Sequence, residues 1–379
     1  MSLAPIPFNR VAFEFSELDN VQQAISNGHI SGDGPFCQKA EELLSEIHGG
    51  AETLLTPSCS HALELAARLI QFEPGDEVIV PSFTFVTTVS SFVANGATPV
   101  FCDIDPVTLG LDLEHAKKLI TPKTRAICLV HYGGVAANPE GFAALATEHN
   151  LVLIEDNAHG LGGKFGGKTL GTFGALSTLS FHETKNITCG EGGALVINDP
   201  AFVERAEILR EKGTDRSRFF RGQVDKYTWH DIGSSWVMSD ILGGLLVGQL
   251  ENFDAIQHRR THITDTYRNE LAGWAEDNDF VMGPQDKHTS HLFYLLLSNE
   301  AERNDFIQHM KNHGVMVTFH YVPLHLSPAG EKYWSPEVPL EVSEDISSRL
   351  VRLPLFPSIS EEELAHVIDS AKSFGTAKK

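Results

Sequence analysis

Between residues 50 and 200, short apolar runs alternate with longer segments of helical periodicity, and this alternation restricts the possible folds more than any other feature of the chain. The pattern is typical of βα units, in which a helix follows each buried strand and covers the sheet. We therefore predict an α/β protein with a mostly parallel sheet in a large domain. The expected strands are residues 77–80, 99–102, 126–130 and 151–154, and the expected helices are residues 60–69, 87–94, 113–120 and 139–149.

A different pattern begins near residue 239. Residues 239–271 keep helical periodicity almost without interruption, with weak points at Gly243, Gly244 and Gly248, and are predicted to connect two domains. The pattern then indicates a smaller α+β domain, with alternation at 291–297, a strand at 314–318 and a final helix at 361–372. We place the large domain, including an N-terminal segment, at residues 1–250, and the small C-terminal domain at residues 251–379.

Charge and composition exclude several classes of protein. The chain has 29 Lys plus Arg and 50 Asp plus Glu, and its formal net charge of −21 disfavours binding to nucleic acid. The longest fully apolar run, residues 241–248, is far shorter than the about 20 residues that span a bilayer, so no membrane partner is expected. The five cysteines include no CxxC pair and indicate reduced thiols. Residues 1–10 contain two prolines and no apolar run, so we expect no secretory leader and a cytoplasmic location.

Two segments that look like known motifs are interpreted as coincidences. Residues 162–169 fit the phosphate loop of nucleotide hydrolases, but that loop leads into a helix, and residues 170–174 contain two glycines. The segment is therefore predicted to be a glycine-rich hairpin. His182 begins a zinc-binding HExxH pattern, but Asn186 stands at its last position, so no metal site is expected.

Asp156 and Lys185 are the strongest candidates for chemistry. Asp156 follows the strand predicted at 151–154, at the end where parallel sheets bind ligands, and Lys185 lies 29 residues later among small and polar residues. Pyridoxal phosphate chemistry requires such a pair, because a lysine holds the cofactor and a buried carboxylate keeps its ring nitrogen protonated. If only these two residues are considered, an alternative explains the pattern at least as well: Asp156 caps the turn that follows the strand, and Lys185 is exposed to solvent.

Two further segments favour a cofactor site. Residues 56–60 (TPSCS) follow a short predicted strand and precede a predicted helix, and the free N–H groups at a helix start suit the cofactor phosphate. Residues 81–85 (PSFTF) end the next strand and offer an aromatic face that can stack on the cofactor ring. Each segment also has an ordinary structural explanation. Residues 56–60 can simply cap the helix, and a phenylalanine in residues 81–85 can simply pack in the core.

The chain resembles the sugar-nucleotide aminotransferases of the DegT/DnrJ/StrS type, a branch of the aspartate-aminotransferase fold. The resemblance covers nearly the whole chain, from Gly32 to His325. Its motifs are PSFTF at 81–85, EDNAHG at 155–160, SFHETKN at 180–186 and GEGG at 190–193, together with residues 219–229 and 320–325. The resemblance implies fold type I of the pyridoxal-phosphate-dependent transferases, pyridoxal 5'-phosphate as the cofactor, and a homodimer with composite active sites.

The resemblance also implies roles for individual residues. Lys185 would hold the cofactor and carry protons, and Asp156 would pair with the ring nitrogen, so these are the expected catalytic residues. The other expected cofactor ligands are Cys59, Ser60, Phe85, His159, Ser180 and Ser235. Ser235 occupies a position from which many family members extend an Asn to the phosphate of the neighbouring subunit. The expected substrate-binding residues are Arg221, Lys226, Tyr227, His320, Tyr321 and His325.

These assignments predict transfer of the amino group of L-glutamate to a keto sugar nucleotide, with dTDP-4-keto-6-deoxy-D-glucose as the favoured acceptor. Lys185 is present where dehydrating family members carry histidine, which favours transamination. Arg221 and Lys226 are the expected cations for the two phosphates of the substrate, with a solvated basic pair as the alternative. His320 and His325 are interpreted as cleft-lining groups or as satisfied core histidines. Other possible functions are 3-keto sugar transamination, pyridoxal-dependent elimination and a catalytically silent regulator that binds sugar nucleotides.

Overall fold

A seven-stranded sheet organises the first 200 residues in the computed structural model, which describes residues 4–284 and 288–375. The strands of this part are β1 (Glu52–Thr56), β2 (Glu77–Pro81), β3 (Thr98–Cys102), β4 (Thr124–Val130), β5 (Val152–Asp156), β6 (Lys164–Phe165), β7 (Lys168–Thr169), β8 (Leu176–Ser180) and β9 (Gly193–Ile197). All except β6 and β7 join the sheet, in the order β1-β9-β8-β5-β4-β2-β3. In this described sheet, β9 runs antiparallel to both of its neighbours, and the other pairs are parallel.

Helices cover both faces of the sheet. In β2, Val78 and Val80 face one apolar cluster, whereas Ile79 between them faces another, as expected for a parallel strand that is buried on both sides. The helices are α1 (Glu17–Ser26), α2 (Pro35–Ile47), α3 (Cys59–Ile70), α4 (Thr87–Val93), α5 (Leu113–Leu119), α6 (Pro139–His149), α7 (Val203–Arg210), α8 (Arg216–Phe220), α9 (Asp240–Glu251), α10 (Phe253–Asp277), α11 (Glu300–Asn312), α12 (Glu341–Arg349) and α13 (Glu361–Lys372). Within the described ranges, no helix combines the length and the apolar character needed to cross a membrane.

The predicted βα pattern is confirmed. Each of the four expected strands and four expected helices is present, and its ends lie within two residues of the predicted ones. The sequence pattern missed β8 and β9. In β8 the buried polar residues Ser177 and Thr178 interrupt the apolar run, so hydrophobicity alone does not mark this strand.

A second sheet forms a separate core. Its antiparallel strands are β10 (Val281–Met282), β11 (Phe293–Leu296) and β12 (Leu350–Leu353), with β11 in the centre. Their side chains pack with α10, α11 and α13 around Tyr267 and Phe306, which confirms the α+β character of this part. Ile6 also belongs to this core, so a segment near the N-terminus packs with the C-terminal half. The domain boundary at residue 250 stays a prediction.

The strand predicted at residues 314–318 is wrong. Val315 pairs with Ile6, whereas Thr318 pairs with Arg352, and both pairings are isolated bridges. Because the segment changes its partner within four residues, no continuous ladder of hydrogen bonds forms.

The predicted connector consists of two helices, α9 and α10, and it breaks at Asn252 rather than at a glycine. The glycines of α9 lie where other segments approach closely. A Cβ at Gly243 would stand 2.8 Å from the backbone nitrogen of Cys37 in α2, and one at Gly248 would stand 2.9 Å from the backbone nitrogen of Glu17 in α1. These glycines therefore permit tight helix packing and do not interrupt the helix.

Residues 164–169 form the predicted hairpin. Gly166 and Gly167 connect β6 to β7 with φ angles of 57° and 84°, a left-handed conformation that glycine adopts without strain. No helix begins directly after β7, so the segment lacks the geometry of a phosphate loop.

We expect Gly243→Ala to destabilise the protein, although alanine normally favours a helix over glycine by about 1 kcal/mol. The new Cβ would collide with the backbone of α2, which cannot rotate away, and such overpacking costs about 1–3 kcal/mol. Urea titration followed by circular dichroism measures the free energy of unfolding.

Gly273→Ala in α10 is the matched control, because nothing lies within 4 Å of its new Cβ. This variant should be more stable than the wild type by about 0.5–1 kcal/mol. Equal changes in the two variants would contradict the described contact between α2 and α9.

Candidate active site

A cavity of about 690 Å³ opens at the carboxyl ends of the parallel strands, the edge where such sheets bind ligands. Asp156 is the last residue of β5, Ser180 is the last residue of β8, and Phe85 lies just beyond β2. The second core contributes His291 and Arg352 to the same cavity. Both halves of the chain therefore build one site.

Asp156 is a buried carboxylate held by two hydrogen bonds. It is 5% exposed. Its Oδ2 accepts a hydrogen bond of 2.7 Å from the Thr88 hydroxyl, and its Oδ1 accepts one of 3.3 Å from the Ala158 N–H. Burial raises the pKa of Asp156, while these bonds and the Lys185 charge act in the opposite direction. A cationic group brought next to this carboxylate would favour its ionised form.

Lys185 lies in the loop after β8 and lines the cavity. Burial lowers the pKa of its amine to about 8, although Cys59 and Asp156 act to raise it. Roughly a tenth of the amines with such a pKa are neutral at pH 7, far more than for an ordinary lysine with a pKa of about 10.4. Lys185 is therefore available both as a nucleophile and as a base.

His159 presents a neutral ring to the cavity. Its Nδ1 accepts a hydrogen bond of 3.2 Å from the Gly133 N–H, which places the ring proton on Nε2. Burial lowers the pKa of His159 far below its usual value. The ring stacks on His291 with a centroid distance of 4.1 Å, and His291 Nδ1 lies 2.9 Å from Oδ1 of Asn186, the residue after Lys185. These contacts tie the lysine loop to the second half of the chain.

The N-terminus of α3 lines one part of the cavity. Ser58 caps this helix by accepting a hydrogen bond from the His61 N–H, and Cys59 and Ser60 form the first turn beside Ser180. A Cβ at Gly193 would come within 2.4 Å of the Cys59 nitrogen, so only glycine lets β9 approach this turn. The helix start provides N–H groups and a positive dipole end suited to a phosphate.

Aromatic rings form another wall. Phe85 is 54% exposed, which leaves its ring available to a ligand. The Tyr321 ring lies 6.3 Å from Phe85 and stacks on His320 at 3.6 Å. His320 Nδ1 forms a hydrogen bond of 2.6 Å with the Tyr132 hydroxyl, and burial lowers the pKa of His320 far below its usual value. His320 and Tyr321 are thus held in fixed positions.

The structure brings together nine of the fourteen residues that the sequence analysis selected for the site. The nine that line the cavity are Cys59, Ser60, Phe85, Asp156, His159, Ser180, Lys185, His320 and Tyr321.

Four of the others lie in residues 221–235, outside the cavity of the single chain. Arg221 pairs with Glu207 of its own chain through two hydrogen bonds of 2.7 Å. Ser235 pairs with Glu211 in an isolated bridge. Lys226 and Tyr227 are exposed. Within one chain these side chains reach neither the cofactor site nor a substrate in the cavity.

His325 also does not line the cavity. It is fully buried, with Nδ1 at 2.6 Å from the Ser82 hydroxyl and Nε2 at 3.2 Å from Oε1 of Glu344. Both ring nitrogens of His325 therefore have hydrogen-bond partners within the chain. The prediction that His325 binds substrate is wrong, and the alternative interpretation, a hydrogen-bonded histidine of the core, is correct.

Thr88, His291 and Arg352 are among the cavity residues that sequence reasoning missed. Thr84 lies four residues before Thr88, just ahead of α4, and their hydroxyls are 2.9 Å apart, so the two nearby threonines could have suggested a polar cluster. His291 and Arg352 lie more than 100 residues from Lys185 along the chain, and no local pattern connects them to it.

Comparison with known proteins agrees with this geometry. The model of the DegT/DnrJ/EryC1/StrS aminotransferase family matches residues 13–372. GDP-perosamine synthase from Escherichia coli O157:H7 is 31% identical over 382 aligned positions, which cover 98% of this chain and 99% of that protein. The aminotransferase TlmJ from Streptoalloteichus hindustanus superposes with a TM-score of 0.87 at 27% identity, over 98% of both chains. The PLP-form of Spr1654 from Streptococcus pneumoniae superposes with a TM-score of 0.88 at 26% identity, over 97% of this chain and 98% of that one.

These similarities extend over nearly the whole chain, in sequence and in fold. They confirm the predicted α/β architecture and the resemblance on which the site residues were chosen. The chain belongs to the DegT/DnrJ/EryC1/StrS aminotransferase family.

Proposed function

We propose that the protein transfers the amino group of L-glutamate to a keto sugar nucleotide, with pyridoxal 5'-phosphate as its cofactor. The observation that carries the proposal is a single cavity that holds Lys185, with its lowered pKa, and the buried Asp156. The favoured acceptor is dTDP-4-keto-6-deoxy-D-glucose, which would become dTDP-4-amino-4,6-dideoxy-D-galactose.

The residues of the cavity fit each part of this cofactor. Lys185 offers an amine for covalent attachment, and Asp156 offers a carboxylate for the ring nitrogen. The first turn of α3 offers N–H groups and hydroxyls for the phosphate, and Phe85 offers an exposed ring for stacking. When bound, pyridoxal phosphate supplies an aldehyde carbon for amine exchange and a ring that accepts electrons.

The side chains of the cavity perform distinct tasks in amino transfer. Lys185 would hold the cofactor until the amino donor takes its place, and the freed amine would then remove the proton from Cα of the donor. The Asp156 carboxylate, held by Thr88, would retain a proton on the ring nitrogen through charge and hydrogen bonding. The neutral His159 carries its proton on Nε2 and would donate it to an acceptor on the cofactor, such as the phenolic oxygen of the ring.

The functional test must distinguish the proposed reaction from other acceptors and from other reactions. One relative is GDP-perosamine synthase, so sugars linked to GDP as well as to dTDP belong among the substrates tested. A 3-keto sugar nucleotide is the alternative acceptor. Elimination and sugar-nucleotide binding without turnover are the alternative functions, and Lys185 together with Asp156 in one cavity argues against the latter.

We further propose a homodimer whose active sites contain residues of both subunits. Several large apolar side chains near the end of α8 are exposed in the single chain, among them Phe220 (69%), Trp229 (78%) and Ile232 (70%). Such a patch favours an interface. The same segment holds Arg221 and Lys226, which would reach the substrate phosphates across the interface.

The functional test uses holoenzyme, ¹⁵N-glutamate and a panel of 3-keto and 4-keto sugars linked to dTDP, UDP or GDP, with products identified by mass spectrometry. We expect ¹⁵N in the 4-amino sugar of the dTDP-linked acceptor, because one site must exchange the amine with both substrates. Lys185→Ala should fold normally and transfer no ¹⁵N. Wild-type holoenzyme that labels no acceptor on the panel would contradict the proposal, and loss of water without ¹⁵N transfer would indicate elimination.

The lowered pKa of Lys185 predicts how cofactor attachment depends on pH. Only the neutral amine attacks an aldehyde, so the attachment rate of the apoprotein should rise with pH up to about 8 and then level off. Absorbance of the lysine-bound cofactor after mixing with pyridoxal phosphate at pH 6–10 measures this rate, with Lys185→Ala as the blank. A rate that still climbs between pH 9 and 10 would show that burial does not lower the pKa as described.

Subunit mixing tests the composite site. Lys185→Ala and Arg221→Ala homodimers should each be inactive, and mixed dimers should regain activity, because one of their two sites contains both intact residues. Light scattering establishes the assembly, and mass spectrometry verifies the exchange. An active monomer, or verified mixed dimers without activity, would refute the proposal that both subunits form the site.

A further inference from the structure

Arg260 is a buried cation of α10 that has no role in the chemistry described above. Its side chain is 1% exposed. Within the residues that the structure describes, no carboxylate pairs with it, and burial lowers the pKa of Arg260 to about 9. The guanidinium is therefore still charged near pH 7, in a place where a charge is costly to bury.

The N–H donors of Arg260 are directed to the backbone of residues 289–291. Its Nε–H donates a hydrogen bond of 3.0 Å to the Ser290 carbonyl, and one Nη donates a bond of 2.6 Å to the His291 carbonyl. Ser290 has a φ angle of 50°, a left-handed conformation that residues other than glycine rarely adopt. Charge-assisted hydrogen bonds to two successive carbonyls hold the chain in this conformation.

Residues 289–291 in turn hold the lysine loop. The side chain of Asn186, the residue after Lys185, donates a hydrogen bond of 2.7 Å to the Thr289 carbonyl. Because the amide nitrogen of Asn186 is the donor there, its Oδ1 is the acceptor for Nδ1 of His291, 2.9 Å away. This bond fixes both the tautomer and the orientation of the His291 ring.

The same residues also fix the ring of His159. His291 stacks on it with a centroid distance of 4.1 Å, and the Thr289 hydroxyl donates a hydrogen bond of 2.6 Å to the His159 carbonyl. Burial lowers the pKa of His291 far below its usual value, and the charge of Arg260 acts in the same direction. Both stacked rings are therefore neutral near pH 7 and pack without mutual repulsion.

We propose that Arg260 is a positioning residue for the cofactor chemistry, because it holds residues 289–291 in the conformation that orients His291 against the lysine loop. This inference rests on the proposed aminotransferase function. Arg260 is not among the described residues that line the cavity, so it acts on Lys185 and His159 through His291 and its neighbours. A displacement of about 1 Å at the reacting groups can lower a rate about 100-fold. Loss of this support should therefore slow the chemistry without weakening ligand binding.

The first test measures the reactivity of Lys185 in the full-length apoprotein at pH 8. Absorbance after mixing with pyridoxal phosphate gives the rate at which the lysine-bound cofactor forms. Arg260→Met removes the donors and the charge and should lower this rate about 10- to 100-fold, whereas Arg260→Lys keeps a charge and N–H donors and should restore part of it.

Trp274→Phe is the matched control for this test. Trp274 also lies in α10, and its indole N–H donates a hydrogen bond of 3.1 Å to the Phe374 carbonyl in the second core. The substitution removes a bond of the same kind from the same helix and should leave the attachment rate unchanged.

A double-mutant cycle shows whether Arg260 acts through His291. His291→Ala should slow attachment by a similar factor, and Arg260→Met should then cause little further loss, because the ring that it orients is gone. If the two effects multiply, Arg260 acts by another route and the proposal is overturned. A wild-type attachment rate in Arg260→Met overturns it as well.

The donor half-reaction of the holoenzyme separates positioning from binding. Arg260→Met should lower the maximal rate with L-glutamate about 10- to 100-fold and change the half-saturating concentration less than about 3-fold. A variant that changes only the half-saturating concentration would assign Arg260 to donor binding and refute its positioning role.

The remaining outcomes are also decisive. If urea titration shows that Arg260→Met does not fold, Arg260→Lys takes its place in the same measurements, and a wild-type attachment rate in His291→Ala refutes the inference without any change at Arg260. A wild-type protein that attaches pyridoxal phosphate but transfers no amino group contradicts the aminotransferase proposal alone, and the attachment test still decides the role of Arg260. A wild-type apoprotein that attaches no pyridoxal phosphate refutes both.

Discussion

Removal of water from ionisable groups at the carboxyl edge of the sheet is the physical effect on which the rest of the site depends. Burial disfavours every charged form, so it lowers the pKa of Lys185, raises that of Asp156 and keeps His159 neutral. Hydrogen bonds oppose this effect at individual groups, and the bond from the Thr88 hydroxyl acts to lower the pKa of Asp156. One cavity thus provides a reactive amine, a carboxylate that favours a cationic partner, and an uncharged donor.

The cavity exists only because two cores meet. The parallel sheet provides Asp156 and the loop with Lys185, and the second sheet provides Arg352. Asn186 joins the two parts, because its side chain donates to the Thr289 carbonyl at 2.7 Å and contacts His291. A change that shifts one core relative to the other should therefore affect the position of the lysine loop.

The overall charge of −21 and the anionic ligands proposed for the cavity are compatible, because recognition is local. The helix start of α3 and the unpaired donors of Arg352 supply positive potential inside the cavity, where water screens it least. Outside it, the guanidinium of Arg221 is neutralised by Glu207 within the same chain. The substrate phosphates would have to compete with that pair, which makes the assembly of two subunits the decisive question for this segment.

Strand ends and local motifs in the sequence are enough to predict the βα order of the first half, the hairpin at 164–169, the family and nine cavity residues. The other features depend on contacts between segments that are distant in the chain. The polar β8 is a strand because both of its neighbours in the sheet bury it, and the glycines of α9 are contact points because α1 and α2 pack there. His291 and Arg352 join Lys185 through folding alone, since their distance along the chain leaves no periodicity to read. The sequence also does not show whether His325 faces a ligand or forms hydrogen bonds inside the core. Its contacts with Ser82 and Glu344 join segments that are distant in the chain, and only the folded structure brings them together.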